Sequence, residues 1–510
     1  MSATNRIVFN TAITYGKALL TIFISLFATR LILNGLGVKD FGLNNVVGGV
    51  VAMLSFLDAA MATATQRFIS INLGNGDVPM LRKVFANSVL LHLVIAFLLV
   101  FTLETIGLYF LNNNLKIDPE RLYAANILFH FVVISTFVTI ISVPYDAVIN
   151  AHENMLFLAV VGIIESLLKL LIALSLSFVI YDKLIVYGFL TMTLTIVARV
   201  VKQLYVRKKY HESKVNFKEE YNLKILKELT TFTGWNLFGV LSYMGRNQGI
   251  SIVLNLFFST VVNAGYAIAN QINGQLSFFS ATITQVLQPQ IMKSEGGGDR
   301  DRLLKLSVFS SKFAFFLFAF FALPIYVELP LVLEIWLGNT PKNTVIFCRL
   351  IILMTLVIQL RSGITIATHA IGKIKSYQLI NSPIQLFTLP IGYLLFTYGF
   401  PPYSIVLVAL LTEGTVLLIS IYFFSNMTSY SSTLFYKNVI LRCISVLAIT
   451  YGFIKFASPF GSSYFFKLSI IIISSLFFCV LVFLIGLDKN EKISVKEMLY
   501  YLKQKFKTKI

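Results

Sequence analysis

The chain alternates long apolar segments with short polar ones over almost its whole length. A helix that spans a membrane needs about 20 mainly apolar residues, and fourteen segments of this sequence reach that length. They are residues 8–34, 41–66, 84–111, 123–149, 156–180, 184–206, 230–258, 259–289, 303–327, 345–371, 376–397, 401–424, 436–457 and 465–487. The pattern predicts an all-α, multi-pass membrane protein with 14 transmembrane helices. Because a second apolar segment follows the first at once, the first is interpreted as a retained helix and not as a cleaved signal peptide.

Composition and charge agree with a membrane location. Of the 510 residues, 57% are hydrophobic and 13% are charged, and the net charge is +19. With the amino terminus in the cytoplasm, the cytoplasmic segments hold 23 of the 42 Lys and Arg residues, whereas the opposite loops hold five. This asymmetry follows the positive-inside rule and predicts that both termini are cytoplasmic. The basic charge is therefore explained by topology and by anionic lipid headgroups, and a nucleic-acid partner is not expected.

Part of the sequence repeats at a fixed offset of 222 residues. Between Leu54 and Ser88, 12 of 35 residues recur in the same frame, including the Gly-x-Gly-Asp of residues 74–77. The offset spans six predicted helices, so the two copies enter the membrane in the same direction. The glycine-rich loop lacks the Gly-Lys-Ser/Thr ending of a phosphate-binding loop, and a turn is the favoured interpretation.

The repeat divides the chain into two six-helix lobes. The expected organisation is an amino-terminal lobe at 1–206, a cytoplasmic linker at 207–229, a carboxy-terminal lobe at 230–424, and two further helices with a basic tail at 425–510. Two-fold repeats in membrane proteins are typical of transporters whose site lies between the copies.

The second helix of the second copy carries six polar residues on one face. Their spacings of 4, 3, 4, 3 and 4 keep them on a narrow stripe. They are Tyr266, Asn270, Asn273, Ser277, Ser280 and Thr284. At the offset of 222, Asn44, Ser55 and Asp58 take the equivalent face of the first copy. Asn247 lies on a similar polar face of the helix predicted at 230–258. We interpret these faces as the lining of a water-filled cleft; the alternative is that small polar residues join helices within each bundle.

Ionisable residues inside the predicted helices are costly in hydrocarbon and must face protein or water. Glu165 and Lys169 are four residues apart, in the favourable order for an intrahelical ion pair. The cations that remain without a partner on their own helix are Lys17, Arg30, Arg246 and Arg361.

These cations outnumber the remaining deep acids, Asp58 and Glu413. The excess predicts an anionic ligand such as a phosphate, whose oxygens match the planar fork of arginine. Arg30 is also long enough to reach the lipid headgroups instead. Asp58 and Glu413 are candidates for ion coupling, because a membrane carboxylate that takes up a proton or sodium in one conformation can drive transport.

The sequence contains no recognisable catalytic or metal-binding constellation. The five histidines are scattered without ligand spacing, and the three cysteines are widely separated in predicted helices. An enzyme such as a membrane glycosyltransferase would require an acidic metal motif or a large soluble domain. We therefore expect no enzyme activity, no cofactor and no metal.

Several short motifs resemble those of a known transporter family. They are Leu36–Gly42, Asn45–Gly49, Ala64–Phe68, Leu73–Asp77, Ser142–Tyr145 and Ala151–Glu153. These segments look like the opening of Wzx-type flippases, which move lipid-linked oligosaccharides and belong to the multidrug/oligosaccharidyl-lipid/polysaccharide exporter superfamily. The resemblance covers the whole chain in length and repeat plan and is strongest over residues 1–160.

The resemblance implies two parallel six-helix bundles in a V around a central cationic cavity, with alternating access. The implied cargo is an undecaprenyl-diphosphate oligosaccharide for surface polysaccharide or O-antigen synthesis in the bacterial cytoplasmic membrane. On this basis Lys17, Arg246 and Arg361 are expected to hold the diphosphate, and the stripe from Tyr266 to Thr284 is expected to contact sugar. Expected partners are the lipid-linked cargo, membrane lipids, a coupling ion, and polysaccharide polymerase or assembly proteins. The alternatives are an ion-coupled multidrug antiporter of the same superfamily and a scaffold or channel subunit of a glycan-assembly complex.

Overall fold

The computed structural model describes residues 3–52, 56–115, 117–258, 260–338, 340–457, 461 and 463–493. Within these ranges all regular secondary structure is helical, which confirms the predicted fold class. The chain packs as two compact units. The amino-terminal unit is Phe9–Leu237, and the carboxy-terminal unit is Phe238–Ile510 together with Met1–Val8.

In its described residues the amino-terminal unit contains eight α-helices and the start of a ninth. They are α1 (Ala3–Ala52), α2 (Phe56–Asn75), α3 (Val78–Thr102), α4 (Leu108–Asn113), α5 (Pro119–Ala151), α6 (Met155–Ser175), α7 (Lys183–Lys209), α8 (Phe217–Glu220) and α9 (Leu223–Phe257). α1 contains a kink at Gly37, where φ is 78°. Only glycine adopts such a conformation without strain, so this residue marks the turn between the first two predicted segments.

The carboxy-terminal unit begins in the middle of α9, and its described residues contain eleven further α-helices. They are α10 (Thr260–Gly296), α11 (Arg300–Val327), α12 (Leu329–Leu337), α13 (Thr344–Leu360), α14 (Ser362–Ile371), α15 (Ile374–Leu386), α16 (Thr388–Thr397), α17 (Ser404–Thr428), α18 (Ser432–Phe435), α19 (Arg442–Ala457) and α20 (Tyr464–Leu481). Each unit has its own buried hydrophobic clusters, formed within its helices.

In the described part of the chain, ten helices are long and apolar enough to cross a membrane. An eleventh is formed if α13 and α14, which are bent by 42° at a short break, count as one span. The predicted number of fourteen spans therefore stays a prediction. α9 and α10 are long but do not reach this apolar composition, as expected for helices with a large part of their surface against protein or water.

The repeated Gly-x-Gly-Asp sequence forms the same helix-to-helix turn in both units. Gly76 and Gly298 have φ values of 71° and 70°, and each follows the end of a helix, where a left-handed glycine is the usual terminator. The next residue caps the following helix: Asp77 accepts from the amide of Met80, and Asp299 accepts from the amide of Arg302. The geometry confirms the turn interpretation over a phosphate-binding loop.

The hydrophilic linker packs against helices of the amino-terminal unit. Asn87 of α3 donates to the carbonyl of Glu220 at 3.0 Å and accepts from the amide of Asn222 at 3.1 Å. His152, at the end of α5, lies 2.5 Å from the carboxylate of Glu212. These contacts fix the path of the chain into α9.

A buried lysine joins α11 to the segment that follows α20. Lys312 is fully buried, and its ammonium lies 2.5 Å from Glu491 and 3.8 Å from Asp488. Asp488 and Glu491 also accept from each other's backbone amides at 2.8 Å, which is a capping box. The position of Lys312 in the first copy is Leu90, so this attachment is specific to the copy that carries the additional helices.

Arg121 joins three elements at one end of the amino-terminal unit. Its guanidinium contacts Asp40 at 2.6 Å and 2.9 Å, and Asp182 at 2.5 Å and 3.2 Å. Asp40 follows the kink at Gly37, and Asp182 caps the start of α7. Although partial burial favours the neutral acid, the hydrogen bonds from Arg121 and from the amides of α7 hold the pKa of Asp182 below its ordinary value.

Replacing Arg121 by Gln is expected to lower the stability of the amino-terminal unit by about 1–3 kcal/mol, because charge-assisted hydrogen bonds are lost and two carboxylates are left close together. The measurement is the apparent melting temperature of the purified protein in detergent. Lys39→Gln is the matched control: its ion pair with Asp118 is 86% and 64% exposed, and exposed pairs contribute little.

The effect of Arg121→Gln is expected to depend on pH. Since the folded-state pKa of Asp182 is lowered, its contribution is fully present above the unfolded-state pKa and is lost as pH falls through the folded-state value. The stability difference between wild type and Arg121→Gln should therefore shrink on acidification. A difference that stays constant down to the lowest pH at which the protein remains folded would contradict this account.

Candidate functional site

A buried carboxylate of α17 holds two arginines in the carboxy-terminal unit. Glu413 is fully buried and lies 2.5 Å from Nη1 of Arg246 and 2.9 Å from Nη2 of Arg361. Gln385 of α15 donates to the same carboxylate at 3.2 Å. Arg246 is also fully buried, whereas the Arg361 side chain is 13% exposed. The three charged groups are named the Glu413 triad below, and their formal charge is +1.

Arg361 lies at the break between α13 and α14. The following turn packs very closely on α11, because a Cβ atom at Gly363 would lie only 2.0 Å from the carbonyl oxygen of Ser307. The amide of Gly363 donates to the hydroxyl of Ser311 at 3.1 Å. A glycine in this place therefore allows α14 to pack closely on α11, next to the residue whose guanidinium contacts Glu413.

Arg246 is held by neighbours on its own helix as well as by Glu413. The guanidinium lies 5.2 Å from the centroid of the Tyr243 ring, within the range of a cation–π contact. It also donates to the side-chain oxygen of Asn247 over 3.4 Å. The backbone carbonyl of Asn247 in turn accepts from the hydroxyl of Tyr266 at 3.4 Å. α9 and α10 are thus joined next to the triad.

The polar stripe of α10 is turned toward its own unit at two of its positions. Tyr266 is buried at 5% exposure, and Ser280 is fully buried. Asn273 accepts a hydrogen bond from Thr355 of α13 at 2.8 Å. Asn270 donates to the carbonyl of Tyr266 at 3.0 Å. The contact between Asn273 and Thr355 agrees with the alternative that polar residues join helices, whereas the bond of Asn270 lies within α10. Ser277 and Thr284 are half-buried.

The exposed face of α10 lies one residue further along the chain. Its exposed residues are Ala264, Ala267, Gln271, Gly274, Gln275, Ala281 and Gln285, whereas Phe278, which follows Ser277, is half-buried. One residue corresponds to a rotation of about 100°. The sequence therefore predicted a stripe with the right spacing, but the structure exposes the neighbouring stripe.

The first copy shows the same one-residue rotation. Asn44 and Gly48 of the predicted face are half-buried, whereas Asn45 and Gly49 are exposed. At the offset of 222 the last two correspond to Ala267 and Gln271. Ser55 and the side chain of Asp58 lie outside the described part of the structure, so the role predicted for Asp58 stays a prediction.

The amino-terminal unit contains a second charge cluster. Asp146 of α5 pairs with Arg199 at 3.1 Å and with Lys202 at 3.3 Å, both on α7. Lys17 of α1 lies in the electrostatic field of Asp146, Lys202 and Glu165. It packs against α6, because a Cβ atom at Gly162 would lie 2.9 Å from its ammonium nitrogen.

The two clusters use equivalent helices of the two copies. In the amino-terminal unit the charges are on the first, fourth and sixth predicted helices of the copy. In the carboxy-terminal unit the Glu413 triad is on the first, fourth and sixth helices of the other copy. The acid is on the fourth helix in one cluster, at Asp146, and on the sixth in the other, at Glu413.

Two expectations about the remaining charges can be compared with the structure. Glu165 and Lys169, predicted to pair, form no ion pair within 4.0 Å in the described part of the chain. The acid instead contributes to the field around Lys17. Arg30 is exposed, and its expected role stays a prediction.

Sequence reasoning did not identify Gln385 or the pairing of Asp146 with α7. Gln385 lies on α15 between apolar residues, and its position gives no sign that it faces Glu413. Asp146 and Arg199 are 53 residues apart. The single signal available for both was a polar residue inside an apolar segment.

A family profile described as polysaccharide biosynthesis protein matches residues 6–295, more than half of the chain. This chain belongs to the polysaccharide biosynthesis protein family. The match confirms the resemblance to the polysaccharide branch of the exporter superfamily. It includes α9 and nearly all of α10, so Arg246 and Asn247 lie inside the matched range, whereas Arg361 and Glu413 lie beyond it.

Solved structures show which fold this family member has. A MATE transporter in the bent conformation matches with a TM-score of 0.73 at 14% identity, over 84% of this chain and 95% of that one. A MATE transporter in the straight conformation matches with a TM-score of 0.71 at 12% identity, over 84% and 97%. A MOP superfamily transporter from Pyrococcus furiosus, described as having a binding pocket of reverse polarity, gives 0.71 at 12% identity, over 84% and 96%. At these identities the likeness shows the fold alone. No curated protein gives a significant match.

Removing the carboxylate of the Glu413 triad is expected to destabilise this polysaccharide biosynthesis family member strongly. Glu413→Ala leaves two guanidiniums facing each other without an anion, and breaking a buried pair in this way costs about 3–5 kcal/mol. The measurement is the fraction that remains monodisperse after heating. Glu334→Ala removes an exposed carboxylate of α12 and is expected to leave the melting curve unchanged. Equal curves for the two variants would contradict a stabilising role of the triad.

Proposed function

We propose that this protein moves a lipid-linked oligosaccharide, carried on a polyprenyl diphosphate, across the bacterial cytoplasmic membrane by alternating access for surface polysaccharide synthesis. Two findings support a transporter of this kind: membership of a polysaccharide biosynthesis family and the fold of a membrane transporter. The observation that carries the cargo assignment is the Glu413 triad, in which two arginines share one carboxylate.

The two arginines of the triad are proposed to bind the anionic group of the cargo in place of Glu413. With Glu413 bound, the arginines retain one net positive charge, and only Arg361 has some exposed surface. A diphosphate presents more charge and more oxygen atoms than a single carboxylate, and it matches two guanidinium forks. In the proposed cycle the diphosphate replaces Glu413 as the partner of the two arginines. The role expected for Lys17 stays a prediction.

In this cycle the displacement of Glu413 from the arginines links cargo binding to the uptake of a proton by Glu413. A carboxylate that loses both arginines in a buried position is costly to keep ionised, so it takes up a proton and releases it when the arginines return. Glu413 is thus the proposed coupling residue, with Asp58 as the second candidate.

The sugar-contacting surface is proposed to be the exposed face of α10, with Gln271 and Gln285. Exposed amides against hydrocarbon are costly, and sugars offer hydroxyl partners for both the donor and the acceptor of each amide. The predicted stripe then positions this face through its contacts within the carboxy-terminal unit. Its residues are Tyr266, Asn270, Asn273 and Ser277.

The double variant Arg246→Gln/Arg361→Gln is expected to abolish surface glycan while the protein remains in the membrane, because the diphosphate loses both guanidiniums. Glycan is measured on whole cells by gel staining, and the protein by immunoblot of membranes. Lys373→Gln removes an exposed charge of the same sign and should leave glycan unchanged. Normal export by the double variant would remove the phosphate-site proposal.

Glu413→Gln also leaves the two arginines without an anion, so it is assayed at a temperature at which the variant stays folded. Its transport is expected to be independent of a proton gradient, because the amide keeps the shape of the carboxylate without titrating. The measurement is the flux of labelled lipid-linked oligosaccharide in vesicles with and without an imposed gradient. A variant that folds and still responds to the gradient like the wild type would exclude Glu413 as the coupling group.

The second candidate function is an ion-coupled multidrug antiporter, favoured by the MATE transporters among the similar structures. The same vesicles distinguish the two functions. A flippase moves labelled lipid-linked oligosaccharide and not a cationic dye, whereas an antiporter does the reverse.

A further inference from the structure

A cavity of about 370 Å³ lies between α1, α6 and α7 in the amino-terminal unit. This volume is within the ~300–1,000 Å³ of typical small-molecule sites. Its polar lining consists of Thr21, Ser25, Thr29, Ser166, Thr191, Tyr187 and Lys169. Ile22, Ile24, Ala28 and Ile32 complete the lining.

Each serine and threonine hydroxyl of this cavity donates a hydrogen bond to a backbone carbonyl of its own helix. Thr21 and Ser25 donate to carbonyls of α1 at 3.0 Å and 2.8 Å. Ser166 donates to Gly162 of α6 at 2.9 Å, and Thr191 donates to Tyr187 of α7 at 2.8 Å. Their oxygen lone pairs therefore remain available. A ligand that fits this wall must bring several hydrogen-bond donors.

The cavity also offers positive charge. Lys169 lines it and is exposed, and in the described part of the chain its ammonium has no carboxylate within 4.0 Å. Lys17 lies one turn before Thr21 on the same helix and approaches α6 at Gly162. Glu165, the acid nearest along the chain to Lys169, contributes to the field of Lys17. A ligand is therefore expected to carry an anionic group in addition to its donors.

We infer that this cavity binds an acidic sugar, with its carboxylate on Lys169 and its hydroxyls donating to the serine and threonine oxygens. The inference rests on the proposed function, since the sugar would be an acidic unit of the transported glycan. It adds to that function a site for glycan outside the diphosphate-binding arginines. An anionic lipid headgroup with free hydroxyls has the same chemistry, and the experiment separates the two sources.

The test uses the full-length protein in phosphatidylcholine nanodiscs, with glucuronate and glucose as probes. These two sugars differ in a carboxylate against a hydroxymethyl group. Calorimetry should detect glucuronate binding, and glucose should bind at least about tenfold more weakly because it has no charge for Lys169. Lys169→Gln should weaken glucuronate binding by about tenfold or more. Lys208→Gln, which removes an exposed charge elsewhere on α7, should leave it unchanged.

Thr191→Val tests the wall separately, since it keeps the shape of the side chain and removes one acceptor. It should weaken the binding of both sugars by the same factor, so that the preference for glucuronate over glucose is unchanged. Equal affinity for the two sugars, or an unchanged affinity in Lys169→Gln, would overturn the inference. So would loss of the glucuronate signal in nanodiscs that contain phosphatidylglycerol, because the cavity would then be a lipid headgroup site.

Failure of this inference is distinguishable from failure of the proposed function. If the protein transports lipid-linked oligosaccharide in vesicles but glucuronate binding does not depend on Lys169, the flippase function is retained and the acidic-sugar site is rejected. If vesicles carry only the cationic dye, the proposed function falls, and the sugar site loses the cargo on which it rests.

Discussion

A buried carboxylate that must be neutralised is the constraint on which the carboxy-terminal unit depends. Glu413 has no exposed surface and receives two arginines from helices far apart in sequence. An unpaired charge in such a place is far more costly than a surface charge. Arg361 reaches the carboxylate oxygens from the bend between α13 and α14, where Gly363 packs closely on α11. Arg246 reaches them from α9.

The two copies place their charged residues on equivalent helices, but the types of residue at those places differ. Both units place a cluster on their first, fourth and sixth helices, but the acid is Asp146 in one and Glu413 in the other, on different helices of the copy. The Gly-x-Gly-Asp turn, in contrast, is the same to within about a degree in φ. The turn is a local structure fixed by glycine and aspartate, whereas a charge cluster needs only that opposite charges meet.

Lys169 and α10 show how a correct sequence pattern can lead to an incomplete picture. The spacing of Glu165 and Lys169 predicted an intrahelical pair, yet Lys169 lines a cavity instead. On α10 the spacing from Tyr266 to Thr284 is regular, yet the exposed residues are the neighbours of that stripe, such as Gln271. In both cases the sequence relates residues of one helix to each other and contains no direct information about the adjacent helix.

The sequence by itself determined the helical membrane class, the duplication, the turns at Gly76 and Gly298 and the family. These features are encoded in apolar length, in local residue types and in the fixed offset of 222 residues. Only the tertiary structure decided the rotation of each helix and the partners of the buried charges. The reason is physical: periodicity fixes angles within a helix, but packing between helices fixes the absolute orientation. The pairing of Arg246 with Glu413, 167 residues apart, depends on that orientation.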